Sequence, residues 1–295
     1  TLGPNISEYF SKPITSAFPS ANRSPRLPIR ETPAAPADDP AIWANVDAFG
    51  ADPTGERDSS SAIQRAIDSG ATTIFLPGFY SLKSTVVVRG KARRLVGVGG
   101  WINYRAEAKP GLRLADGEPA TVWLEHFSNI GGGVELDTKR TVVLRSVSDA
   151  NLTATPRARG GDLFLEDVVT HDLNLPGQRI WARQLNVENE GTHIRNDGGQ
   201  LWVLGYKTER GGTCLETVGG GQSEILGGFS YTTTAGKLAP MFVTRDSSVF
   251  AFFAEVCFNG DPFATLIREA RANETREIRP GAGATLPYIA RPPQP

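Results

Sequence analysis

The sequence is short of several things, and each shortage closes a class of function. Among 295 residues there are two cysteines, one methionine and three histidines. Cys214 and Cys257 are too few for a disulfide framework and lack metal-ligand spacing, so they read as two buried thiols. His126 and His171 have no ligand set around them, and the Asp-rich cluster of a calcium site is missing, so no metal and no cofactor are expected. Charge of one sign is scarce as well. With 31 basic and 32 acidic residues the net charge is −1, and no global field draws the chain to nucleic acid, anionic membrane or acidic polymer. No apolar run approaches the ~20 residues of a membrane span. The chain starts at Thr1 without a charged-then-apolar leader, the pattern of a processed product or of a piece of a longer one. What remains, at 39% hydrophobic, suffices for one large globular domain or two small ones.

Helix is the other scarce commodity. One segment, 59–69, has a convincing helical pattern: Asp58 can accept from the free amides of the first turn, and Ala62, Ile63, Ala66 and Ile67 form one stripe before Gly70. Residues 1–44 read as an extended strap or linker, with eight of the 21 prolines in the first 40 residues. The tail 280–295, ending Arg-Pro-Pro-Gln-Pro, has the same character. Everything from the helix to about Phe258 is broken into apolar runs of four to six residues, among them TIFLP, TVVV, TVWLE, TVVLR and DLFLE, punctuated by Gly, Asn, Asp and Pro.

A repeat selects among all-β folds. Residues 180–195 superpose on 201–216 at an offset of 21, with Trp181 on Trp202, Glu188 on Glu209, Gly191 on Gly212 and Ile194 on Leu215. The runs at 142–149 and 163–170 are again 21 apart, and a looser match at 27 continues the pattern through 214 and 241. A period in the twenties signals a solenoid whose insertions fall in turns. A leucine-rich repeat would need a Leu/Asn consensus that is missing, and a propeller a longer period. The expected fold is therefore all-β, a right-handed parallel β-helix over 45–279 with an N-terminal capping helix. Coils of about 22 residues between 74 and 258 make about eight turns, a rod about 40 Å long at the ~4.8 Å strand spacing. Its ends need covers, for which the helix suits the first and residues 261–279, as hairpin or helix, the second.

The stretch 45–82, NVDAFGADPTGERDSSSAIQRAIDSGATTIFLPGFYSL, resembles the opening of the pectate-lyase-like β-helix superfamily. Phe49, Gly50, Ala51, Gly55, Asp58, Ala62, Ile63, Gln64, Ala66, Ile67, Pro77, Gly78 and Tyr80 fill the places of that pattern. The resemblance implies a β-helix of the kind found in pectate lyases, polygalacturonase-related hydrolases, tandem exo-β-1,3-glucanases and phage tailspikes. It implies a polysaccharide or oligosaccharide partner and a secreted or cell-surface location. In the tandem members the signature recurs at the start of each helix, which makes the proline-rich lead-in look like the connection from a preceding β-helix domain. The motif builds a cap and a first coil, so it carries no chemistry. The paired aspartates, Gly-His-Gly and Arg-x-Lys of polygalacturonases are missing.

Equivalent positions on successive coils form columns, and columns are where a site would be assembled. If Ile194 and Leu215 face the core, His193 with Cys214 and Arg195 with Glu216 face outward, with Asp172 and Asn174 on the coil before. The candidate catalytic residues are thus Glu190, Asp197, Glu216, His193 and Arg195, and the candidate substrate contacts include Asp172, Asn174, Glu188 and Glu209. Glycoside hydrolysis needs one protonated and one ionised carboxyl at a defined separation, which such a face can supply. A solvated face also carries these residue types by default. A second column, Phe164, Trp181 and Trp202, shares its parity with Glu166 and Arg183 and is expected outward, to stack on sugar rings or to bury against another domain or chain. A bulge that resets the parity would put the rings in the core instead. Three functions follow: a glycoside hydrolase or polysaccharide lyase; a non-catalytic β-helix for glycan binding, cell-surface attachment or protein assembly; and a trimeric tailspike-like fibre.

Overall fold

Each apolar run is too short to bury a core alone, and stacking the same run from successive coils in parallel register solves that problem. The structure is a computed structural model that describes residues 8–105, 110–236, 238–280 and 285–292, with only the backbone of Thr285 and Leu286 described. It is an all-β right-handed parallel β-solenoid of about ten turns, with one α-helix among the described residues. Its strands form a thirteen-stranded and a ten-stranded sheet.

The inward column Ile74, Leu95, Leu124, Leu144, Leu165, Ala182, Val203, Ile225 and Ala251 runs in register from coil to coil, every member fully buried. Successive members are 17 to 29 residues apart, so length varies in the turns while the column is kept. Each Leu, Ile or Val so buried contributes about 1.5–3 kcal/mol. The expected count of about eight coils falls short because coils continue beyond 74–258. Ala44–Asn45 pairs with Ile74 and Phe75 at one end, and Ile267–Arg271 adds a rung at the other.

The long strands of the larger sheet bend sharply midway. Five residues in one column, His126, Ser146, Asp167, Gln184 and Gly205, carry φ of 62°, 49°, 54°, 57° and 82°. Four of the five are not glycine, so the stacked neighbours impose the left-handed conformation against the residues' own preference. Beyond the bend the alternation restarts on a new face.

Both ends are covered. The helix Ser60–Asp68 buries Ala62, Ile63, Ala66 and Ile67 against the first coil. Its Gln64 amide donates to the Val87 carbonyl (3.1 Å) and accepts from the Val87 amide (2.8 Å), pairing a backbone edge that would otherwise be open. Asp58 accepts from the Ser60 amide at 3.0 Å. At the other end Glu274–Ile278 folds back antiparallel on Ile267–Arg271, the hairpin alternative. The tail, expected merely extended, supplies Thr285–Ala290 as an antiparallel strand on Ser248–Cys257, with Thr15 bridging to Tyr288 beyond it. Of the two thiols expected buried, Cys214 is and Cys257, the last residue of its strand, is exposed.

The proline-rich strap runs the length of the larger sheet's outer face, from the last coil to the first. Arg271 donates to the carbonyl of Pro19, the Glu224 carboxylate accepts from the amides of Arg26 and Leu27, Arg183 donates to the Arg30 carbonyl, and Asp38 meets Arg93 and Thr73. Proline suits this role because an extended segment lying on a sheet face has no ladder to donate to. Among the described residues no helix is long and apolar enough to cross a membrane.

Candidate functional site

The aromatic column points out of the solenoid, as its parity predicts. Val143, Phe164, Trp181 and Trp202 lie in register on adjacent strands with Trp123 before them. They are nevertheless buried, in an apolar cluster separate from the solenoid core, because Leu27 and Ala35 of the strap cover them. Trp181 stacks on Phe164 with centroids 5.1 Å apart, donates its indole N–H to the Pro28 carbonyl at 2.8 Å, and lies 4.8 Å beneath the Arg30 guanidinium. Phe164 and Trp181, expected to meet sugar, are thus closed to it by the chain's own N-terminal segment, and Trp202, likewise expected to meet sugar, is 3% exposed where that cover meets a further cavity. Two residues further along each strand runs a ladder of alternating charge. Glu125 accepts from Arg94 (2.5 Å) and Arg145 (3.3 Å), Arg145 reaches Glu166 (2.8 Å), and Arg183 reaches Glu31 of the strap (3.3 Å).

The candidate catalytic residues do not form one patch. Asn174, Arg195 and Glu216 align on the smaller sheet, where Arg195 pairs with Glu216 and lies 3.3 Å from Asp197. The hydrogen bond to Glu216 is the main reason the Arg195 guanidinium holds its proton more tightly than usual. Asp172 and Asn174 line a different cavity of about 530 Å³, with Glu135 and Asn151. Glu190 is exposed, 3.6 Å from Arg210.

His193 and Cys214, expected outward, are fully buried. Strict alternation fails there because the chain is rounding the corner of the coil, and both His193 and Ile194 turn inward. His193 Nε2 lies 2.5 Å from the Asn189 carbonyl and Nδ1 2.6 Å from the Thr208 hydroxyl. Burial pushes its pKa below the ordinary value, against the hydrogen bond to Asn189 and the charge of Glu188. It is a neutral structural histidine.

Glu188 and Glu209 lie elsewhere, on the face of the larger sheet beyond the bend. Lys207 joins them, donating to Glu188 at 2.6 Å and to Glu209. Asn186 donates to Glu188 at 2.9 Å, the Tyr231 hydroxyl to Glu209 at 2.5 Å, and the Lys207 ammonium sits 5.2 Å over the Tyr231 ring. Partial burial pushes Glu188 up, but hydrogen bonds from Lys207 and Asn186 and the charges of Lys207 and Arg210 outweigh it, leaving it below the usual carboxylate range. Burial pulls Lys207 down, and its two carboxylate partners more than reverse that.

Beside this cluster, along the inside of the bend, lies a groove of about 560 Å³ lined by Asp167, Gln184, Asn186, Lys207, Phe229 and Phe252 among others. Gly205 and Gly227 form its floor at the bend, where side chains would fill it. Phe229 is 41% exposed and packs against Tyr231, which meets the exposed Phe258 edge-on at 6.1 Å. The arrangement offers aromatic faces beside amide, ammonium and carboxylate groups. Sequence reasoning reached Glu188 and Glu209 but missed Asn186, Lys207, Phe229 and Tyr231. The signal was the 21-residue repeat itself: Asn186 and Lys207 lie two residues before the two glutamates, and one further coil leads to Phe229 and Tyr231. No group of residues suited to hold a metal ion occurs among the described residues.

No protein-family profile matches this chain, and no curated protein matches it. Among solved structures it is similar to ORF18 of Geobacillus virus E2, at 16% identity and a TM-score of 0.37, over 74% of this chain. The chain spans 62% of that protein's length.

Proposed function

We propose that this protein is a non-catalytic glycan-binding β-solenoid whose ligand lies in the groove along the bend. The observation that carries the reading is the aromatic set of exposed Phe229 and Phe258 with half-buried Tyr231 between them, beside the hydrogen-bonding residues Gln184, Asn186 and Lys207 on the preceding coils. Acid catalysis fits the groups less well. A hydrolase needs one carboxyl held protonated, whereas Glu188 is held ionised and Glu209 and Glu216 each face a cation. The acids that burial does push up, Glu255 and Glu269, belong to the last coil and its cap, where they accept from the Phe263 amide and from Arg271. Membership of the pectate-lyase-like superfamily, and with it a secreted or cell-surface location, belongs to the same reading. Its support is that Asp58 and Gln64 of the motif perform the capping the pattern implies.

Calorimetry and affinity electrophoresis on a panel of plant, fungal and bacterial polysaccharides test it. Binding should fall at least about tenfold in Phe229→Ala and in Tyr231→Ala, the loss of one stacking platform. Release of reducing ends or unsaturated products by the native protein, abolished in Glu188→Gln or Glu209→Gln, would replace the reading with an enzymatic one.

A further inference from the structure

The groove does not end at the bend. Toward the strap it meets a second cavity of about 590 Å³: the two share Phe252, and the adjacent residues Leu226 and Gly227 belong one to each. The second cavity is lined by residues of both the strap and the sheet. At Arg26 the strap turns through a left-handed φ of 56°, held by the Glu224 carboxylate, which accepts from the amides of Arg26 (2.5 Å) and Leu27 (3.0 Å). Glu224 occupies the position in the outward column where the two preceding coils carry Trp181 and Trp202. A carboxylate in place of a ring therefore anchors the strap's turn. The earlier segment Glu8, Tyr9, Phe10 and Ser11 lies beside this turn, with Phe10 against Phe250 at 5.6 Å and Glu8 accepting from the Ser24 amide at 2.8 Å.

We propose that this strap-roofed cavity is a second subsite for the same ligand, and that the ligand is a neutral rather than a uronic polysaccharide. The inference rests on the glycan-binding reading of the first groove. The cavity has the makings of a sugar site: ring faces from Phe250, Phe252 and the 79%-exposed Tyr9, and hydroxyls from Ser11 and Ser24. Trp202 lies in its wall, with an indole N–H that finds no acceptor among the described residues. The charge of the two cavities selects the ligand. The strap-roofed one is lined by two carboxylates, Glu8 and Glu224, against one guanidinium, Arg26, which is itself 3.3 Å from Glu8. The first is lined by Asp167 and by Lys207, whose ammonium is already shared between Glu188 and Glu209. In both cavities the lining cation is already engaged by a carboxylate, so a uronate carboxylate would meet no net positive charge, which a neutral pyranose does not need.

Titration calorimetry on the full chain, with disaccharides and hexasaccharides of β-1,3-glucan, β-1,4-glucan, β-1,4-xylan and β-1,4-mannan and with hexagalacturonate, tests this. At least one neutral hexasaccharide should bind more than about tenfold tighter than its disaccharide and than hexagalacturonate. Tyr9→Ala and Trp202→Phe should weaken the hexasaccharide about five- to tenfold and leave the disaccharide unchanged, whereas Phe229→Ala weakens both. A hexasaccharide-induced shift of the Trp202 indole N–H resonance, assigned by its loss in Trp202→Phe, should accompany binding. If Phe229→Ala weakens binding while Tyr9→Ala and Trp202→Phe leave the hexasaccharide untouched, the second subsite is refuted and the first groove stands. Hexagalacturonate binding as tight as the neutral sugars overturns the charge selection. If none of these sugars binds, both readings fall.

Discussion

Trp181 is the centre of the contact between strap and solenoid, and Trp181→Ala probes whether the strap is held chiefly there. The ring is 3% exposed and makes three separable contacts. These are the stack on Phe164 (5.1 Å), the Arg30 guanidinium over its face (4.8 Å), and the hydrogen bond to the Pro28 carbonyl (2.8 Å). An aromatic stack is worth about 0.5–1.5 kcal/mol, an exposed cation–π contact about 0.5–1 and a neutral hydrogen bond about 1. With the lost apolar burial, removal of the ring should cost about 3–5 kcal/mol. Trp181→Phe, which keeps a ring but loses the hydrogen bond, should cost about 1–2 kcal/mol. Because the column is outward and the inward column is untouched, the loss should fall on the strap first. Trypsin should then cut after Arg26 or Arg30 much faster than in the native chain while the solenoid resists, and urea unfolding should show an early step of small amplitude. A cost under about 1 kcal/mol with unchanged cleavage of the strap would refute this account of how the strap is held.

Three further outcomes follow from single groups. Burial holds His193 below its ordinary pKa, so the unfolded chain takes up a proton near pH ~6.5 that the folded chain refuses. The stability due to neutral His193 is complete above that pH and falls as pH drops through it, by up to about 1.4 kcal/mol per unit, until the lower folded value is reached. His193→Gln should flatten that slope in urea midpoints measured between about pH 5 and 7. Burial pushes the Cys214 thiol up to about 12 while Cys257 is exposed, so a thiol reagent should titrate one cysteine in the native protein and both in denaturant. A Cβ at Gly212 would stand 1.8 Å from the Gly191 carbonyl oxygen, whereas at Gly227 it would meet nothing within 4 Å. Gly212→Ala should therefore cost about 2–4 kcal/mol in thermal or urea unfolding and Gly227→Ala within about 0.5.

The sequence by itself determined the solenoid, its capping helix and much of its register. The offset of 21 aligned Trp181 with Trp202 and Ile194 with Leu215, and the strands pair there as read. This was legible because stacking coils repeats one local environment, and a repeated environment leaves a period in the residues that fill it. The outward parity of Phe164, Trp181 and Trp202 was legible for the same reason. What covers them was not: Leu27 lies more than 130 residues away in sequence, and no local period records a contact made once by a non-repeating segment. The tertiary structure alone decided three other matters. His193 turned inward because alternation holds along a strand and lapses at a corner. Glu188 and Glu209, read as leading into the patch of Asp197 and Glu216, were set on a different face by the corner between the larger sheet's strands, ending at Val187 and Glu209, and the smaller sheet's, starting at Thr192 and Thr213. And Lys207, two residues from a predicted glutamate, proved to tie Glu188 to Glu209, because the fold sets an ammonium on one coil between carboxylates on its own coil and the one before.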